Sequence, residues 1–171
     1  ADLPAELLKD FPLGPKRKVA DKRDPERSPM QWTGGPGAGF SKAAPWLPLH
    51  PAAQTVNVAR QQADRNSMLA WYTRLLHLRR TNPALRSGTY LPLESGNPDV
   101  LAYARVMPSG EGVLALFNMS DRPQSAKITG WPGKAPRAEA VVLANPMRSC
   151  ANVDDPVLDP YATQLVRFTP A

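Results

Sequence analysis

The sequence predicts a mixed chain: a long irregular stretch, one amphipathic helix, then an all-β antiparallel sandwich. Three observations predict it. Prolines crowd the two ends, apolar residues recur at helical spacing only near the middle, and the second half alternates short β-rich runs with turn signals. Of 20 prolines in 171 residues, nine precede residue 52 and four follow residue 145. Proline fixes φ and removes a backbone donor, so both ends should be irregular, with the regular structure between them.

Residues 1 to 66 show no sustained periodicity. Leu3 to Lys9 can form one or two helical turns, which Pro12 stops. Gly14-Pro15, Gly34-Gly35-Pro36-Gly37, Pro45, Pro48 and Pro51 follow. So long a structureless run is uncommon inside a compact domain. It reads as a functional loop, or as a segment whose packing partner lies elsewhere.

Residues 67 to 80 carry the clearest helix. Asp64, Asn66 and Ser67 offer an N-cap. Met68, Leu69, Tyr72, Leu75 and Leu76 recur at spacings of three and four, making one apolar face that Trp71 and Leu78 broaden. Arg79 and Arg80 complement the dipole in the last turn, and Asn82-Pro83 ends the helix. Trp71 and Tyr72 stand at core spacing and are expected to be buried.

From residue 88 the pattern is β. Thr89–Glu94, Val100–Met107, Gly112–Met119, Gln124–Thr129, Ala138–Ala144 and Thr163–Thr169 read as strands. Ser95-Gly96-Asn97-Pro98, Pro108-Ser109-Gly110, Asp121-Arg122-Pro123 and Gly130-Trp131-Pro132-Gly133 read as the turns between them. Short strands at regular spacing predict an antiparallel sandwich. Val113–Phe117 is apolar on both faces, as a central strand is.

The formal charge is +6, and Lys16, Arg17, Lys18, Lys22, Arg23 and Arg27 crowd one stretch. Asp21, Asp24 and Glu26 interrupt them and no aromatics interleave, so the run reads as a solvated or partner-facing loop rather than a nucleic-acid surface. The lone Cys150 allows no internal disulfide or thiolate metal site, and has no neighbour in sequence that would activate it. Asn152, Asp154 and Asp155 lack the calcium-loop pattern and read as a solvated acidic turn. No apolar run is long enough to span a membrane. The start at Ala1 reads as that of a processed or truncated product, so the parent's compartment stays open.

Arg23-Asp24-Pro25-Glu26-Arg27-Ser28-Pro29-Met30-Gln31-Trp32 resembles the RDxxRTPMQW segment of α-glucosidases of the α-amylase superfamily, among them oligo-1,6-glucosidases, maltases and trehalose synthases. Ala38-Gly39-Phe40-Ser41, Pro45-Trp46-Leu47-Pro48, Thr55-Val56-Asn57-Val58 and the 66–80 helix are similar to the family's next landmarks. So are Asn82-Pro83-Ala84-Leu85, Asn118-Met119-Ser120 and Leu158-Asp159-Pro160-Tyr161, with Ala162 where the family often has Glu.

The resemblance implies a fold. Residues 1–85 would be the end of a catalytic (β/α)₈ barrel, namely its long eighth loop and eighth helix. Residues 86–171 would be the β-sandwich that follows. It also implies a role in substrate binding for Arg23, and secondarily for Arg27, as donors to a terminal glucose, because a guanidinium fork suits paired sugar oxygens. Either arginine could instead pin the loop to a carboxylate. Trp32 and Trp46 read as packing residues ahead of sugar platforms, His50 reads as a loop residue, and His77 stands on the 67–80 helix with no sign of a ligand role.

Family members are retaining enzymes that need two carboxylates about 5–5.5 Å apart. None of the motifs that carry them occurs here, so no catalytic residue is assigned and no cofactor or metal is expected. The partners implied are an α-gluco-oligosaccharide in the intact parent, and either the rest of the barrel or a second copy to cover the helix. Two further readings stay open. One is a non-catalytic relative of the transporter heavy-chain type. The other is a carbohydrate-binding module, for which Tyr90, Tyr103 and Trp131 are the available aromatics.

Overall fold

A computed structural model describes residues 27–145 and 155–171. The helical turns expected over residues 3–9 lie outside the described residues. The chain divides into two compact units, Ala1–Arg74 and Leu75–Ala171.

From residue 50 onward in the first unit, three successive elements begin on a side chain that accepts an orphan N–H. The 3₁₀ turn Pro51–Gln54 starts where His50 Nδ1 accepts from Ala52 N at 3.1 Å. Helix α1 (Val58–Ala63) starts where Asn57 Oδ1 accepts from Arg60 N at 3.0 Å. Helix α2 (Met68–Thr81) starts where Ser67 Oγ accepts from Ala70 N at 3.1 Å. Gln61 joins the last two, its Oε1 accepting from Leu69 N and its carbonyl from the Ser67 hydroxyl. Helix α1 was not legible from periodicity, because six residues show too little of a 3.6-residue period.

Helix α2 lies where its spacing predicts, but none of its residues is buried. Met68, Tyr72 and Leu76 are 64%, 54% and 61% exposed. Trp71 is half-buried, with the Arg74 guanidinium 5.8 Å from its ring centroid. The expectation of a buried Trp71 and Tyr72 is therefore corrected. The stripe is real, but no described residue covers its Met68–Tyr72–Leu76 line.

In the second unit Leu75 and Leu78, from the other flank of α2, pack on a five-stranded antiparallel sheet. Helix α3 (Pro83–Ser87) follows at once, with Pro83 at its first turn and Asn82 Oδ1 accepting from Leu85 N at 3.2 Å. Asn82-Pro83 thus ends one helix and begins another, since proline's missing N–H costs nothing at a helix start.

The sheet is ordered β1-β2-β3-β7-β5, from β1 (Thr89–Leu93), β2 (Val100–Val106), β3 (Gly112–Asn118), β7 (Thr163–Thr169) and β5 (Arg137–Asn145). Strand β3 is central and buried nearly throughout, as its two apolar faces predict. On one face Val113, Ala115 and Leu165 meet Ala84, Leu85, Leu75 and Leu78. On the other, Val100, Ala104, Leu114, Leu116, Val166 and Phe168 form the larger core with Ala126, Ile128 and Leu158.

That second layer is thinner than the sandwich the sequence predicts. It contains a two-stranded sheet of β4 (Gln124–Ser125) and β6 (Val157–Leu158). The strand expected over 124–129 stops after two residues because the chain changes partner. Ala126 N donates to Pro156 O, but Lys127 N donates to Ser95 O, and Thr129 bridges Glu94.

Asn118, 3% exposed, ties this layer down. Its Nδ2 lies 2.6, 3.2 and 2.9 Å from the carbonyls of Arg122, Leu158 and Asp159. Its Oδ1 accepts from Ser120 N and Oγ.

Tyr161 closes the turn into β7 at φ 53, in the left-handed region, with its side chain 66% exposed. A Cβ is disfavoured there and the ring packs little, so Tyr161→Gly should stabilise the unit by about 0.5–1 kcal/mol. A higher urea midpoint with an unchanged m-value is the expected reading.

Candidate functional site: the loop of residues 27–66

The family-like segment enters the described residues at Arg27, which is exposed; Arg23 lies outside them. The remainder of the segment is anchored by its backbone. Gln31 O accepts from Val58 N at 2.9 Å, and Trp32 O accepts from Ala59 N at 3.0 Å. These are the first two N–H groups of α1, which have no partner within the helix. Asn57 Oδ1 takes the third, so α1 gives its two leading N–H groups to Gln31-Trp32 and the next to its own cap.

The other side of the segment is held by a left-handed turn. Gly37, Ala38 and Gly39 have φ values of 61, 51 and 68. The Ala38 carbonyl accepts from both Trp32 N at 2.9 Å and Thr33 N at 3.0 Å. Ala38 is itself 1% exposed, so the strained residue is also a packed one. A Cβ at Gly39 would lie 3.3 Å from Trp32 Cβ, which leaves little room for any other residue. Sequence reasoning missed this clamp because its acceptors are main-chain carbonyls. Its one visible signal was a lone alanine between glycines.

Trp32 and Trp46 are 49% and 55% exposed, so neither is a core residue; Leu47, at 2%, is. His50 caps a loop turn, as its sequence context suggests. His77 lies exposed on α2. A cleft of about 500 Å³ opens between Gly34, Gly35, Gly37, His50, Pro51 and Gln54, and Arg27 is not among its lining residues. Cys150, Asn152 and Asp154 lie outside the described residues, while Asp155 is exposed.

Residues 27–74 contain one carboxylate, Asp64, whose Oδ1 accepts from Asn66 N at 2.8 Å. A single carboxylate engaged in a turn cannot serve as the pair that retaining glycoside cleavage needs. This loop can offer hydrogen-bond donors, backbone carbonyls and apolar surface to a ligand.

The family model of the α-amylase catalytic domain matches residues 13–88, which take in this loop, α2 and α3. The chain is 31% identical over 147 residues to the probable oligo-1,6-glucosidase 2 of Bacillus subtilis strain 168, covering 86% of this chain and 26% of that protein. It is 33% identical over 123 residues to the probable oligo-1,6-glucosidase 3 of the same organism, covering 72% of this chain and 22% of that one. An isomaltulose synthase from Erwinia rhapontici NX5 superposes with a TM-score of 0.74 at 28% identity, over 87% of this chain and 26% of the enzyme. The chain thus spans about a quarter of the length of the relatives it matches. The likeness runs from the barrel-like loop through the β strands, and by it the chain belongs to the α-amylase superfamily, among its α-glucosidase-like members.

Proposed function

We propose that this chain is the C-terminal portion of a retaining α-glucosidase acting on α-linked gluco-oligosaccharides. Residues 1–85 supply the end of the catalytic barrel, including one wall of the sugar pocket, and residues 86–171 supply a structural β-domain. The catalytic carboxylates come from elsewhere in the parent. The observation that carries this reading is the clamp on Gln31-Trp32. It holds the end of the family-like segment rigidly between a helix N-terminus and a left-handed turn, as a pocket wall requires. The names of the relatives, oligo-1,6-glucosidases, support the substrate class. The exposed Met68–Tyr72–Leu76 line supports a covering polypeptide, for which the rest of the barrel is the natural candidate.

In this reading Arg23 donates to the terminal glucose, and Arg27 assists it or pins the loop. The test is Arg23→Lys in the full-length protein. Lysine keeps the charge but loses the planar fork, so kcat/KM for isomaltose should fall about tenfold, roughly 1.4 kcal/mol, mainly through KM. Arg27→Lys should cost less. An unchanged kcat/KM for the Arg23 variant rejects the pocket role.

A further inference from the structure

The cleft beside the clamp is lined by no charged residue. Leu49 and Pro51 give it apolar walls, and His50 and Gln54 give it polar ones. His50 Nδ1 accepts from Ala52 N, so the imidazole that caps this turn is neutral and carries its proton on Nε2. That N–H and the Gln54 side-chain amide have no partner among the described residues. The three glycines of the wall differ in what requires them. At Gly34 a Cβ would lie 3.1 Å from Gln54 O, and Gly37 sits at φ 61, so packing and backbone conformation account for these two. Gly35 has φ −83 and ψ −174, extended backbone that any residue adopts. A Cβ there would meet only Thr33 Oγ1, at 3.6 Å, which is ordinary contact. Glycine loses more chain entropy on folding than any other residue. What Gly35 keeps open is the cleft itself.

We propose that this cleft binds one neutral pyranose, a glucosyl unit of an α-gluco-oligosaccharide beyond the two that flank the cleaved bond. A pyranose has apolar C–H faces and a rim of hydroxyls. These match proline and leucine walls interrupted by two uncharged polar side chains. An anion would meet no cationic side chain there, and a cation no carboxylate. The cleft holds about 500 Å³, within the roughly 300–1,000 Å³ of small-molecule sites. Its glycine wall is the turn that follows Thr33 and closes on the Ala38 carbonyl, so the clamp that fixes Trp32 also fixes the cleft. The inference rests on the reading of this loop as one wall of the sugar pocket, and extends that wall from the terminal glucose to a further unit of the substrate.

The test is chain-length dependence in the full-length protein, read as kcat/KM for isomaltotriose divided by kcat/KM for isomaltose. Isomaltotriose carries the further unit and isomaltose lacks it. Gly35→Val fills the cleft at a residue whose backbone accepts a branched side chain, and Gln54→Leu removes the amide at similar size. Each should lower the ratio about fivefold, the worth of one uncharged hydrogen bond. His50→Ser should lower it too, since serine keeps the cap on Ala52 N and loses Nε2–H. Lys42→Gln, exposed on the same loop and outside the cleft, should match wild type. A ratio unchanged in the three cleft variants overturns the proposal. That includes the case in which both substrates decline together, because the cleft then only shapes the loop. A full-length protein without glucosidase activity refutes the functional reading instead. Calorimetric titration of that protein with isomaltotriose still reports on the cleft: weaker binding by Gly35→Val than by wild type upholds it, and equal or absent binding overturns it.

Discussion

Replacing Asn118 with aspartate should destabilise the β-domain by about 3–5 kcal/mol at neutral pH. The side chains are nearly isosteric, so packing is not the cause. The Asn118 amide nitrogen faces the carbonyls of Arg122, Leu158 and Asp159, while its oxygen accepts from Ser120. A carboxylate keeps the second set of bonds and turns the first into oxygen against oxygen, at a site 3% exposed. Those carbonyls belong to the turn after β3, to the end of β6 and to the segment that follows it, so one side chain closes the smaller layer.

The substitution also carries a pH signature. Burial among carbonyls favours the protonated carboxyl, so the folded-state pKa of the new group lies above its unfolded value of about 3.9. Protons then bind the folded state more tightly. The variant should be nearest to wild type below about pH 4 and lose stability as pH rises through the folded-state pKa. Urea melts at pH 3.5 and pH 7 measure this. A cost that does not change with pH would show that the three carbonyls are not what the amide satisfies.

Much of the fold was legible because its strongest elements have strong periods. Strand β7 occupies the predicted residues 163–169, β3 is central as its two-sided apolar run implies, and α2 is displaced by one residue. What escaped was structure made by backbone partners. The 124–129 run has strand-like composition, yet its N–H groups divide between Pro156 and Ser95. No side-chain pattern records such a division. Strand β6 is two residues long, too short for a period of two to show.

Helix α2 shows the opposite failure. Its stripe was read correctly, but periodicity says which side is apolar and not whether anything covers it, so Trp71 and Tyr72 were expected inside and stand partly or mostly outside. The candidate site divides likewise. The clamp on Gln31-Trp32 was invisible because carbonyl acceptors belong to every residue. Arg23 and Arg27 were found through resemblance, and of the two only Arg27 falls among the described residues.

The 171-residue chain alone should show no turnover of an aryl α-glucoside above the uncatalysed rate. Retaining cleavage needs a nucleophilic carboxylate and an acid/base carboxyl about 5–5.5 Å apart across the scissile bond. Of the 15 acidic residues, the described part of the first unit holds Asp64 alone, occupied in a local turn. In the β unit, Glu139 pairs with Arg167 at 2.9 Å and Asp99 accepts from Gln124. Both serve the β fold and stand on no barrel strand. Among the described residues no three acidic, histidine or cysteine groups gather. An aryl glucoside is the stringent substrate, because its activated leaving group relaxes the demand for an acid. Turnover that persists through purification and disappears on heating would sink the assignment of chemistry to the rest of the parent. Under the proposed function, turnover that appears only when the chain is joined to the barrel of its parent is the expected result, since the proposed pocket wall and the reacting carboxylates would then share one site.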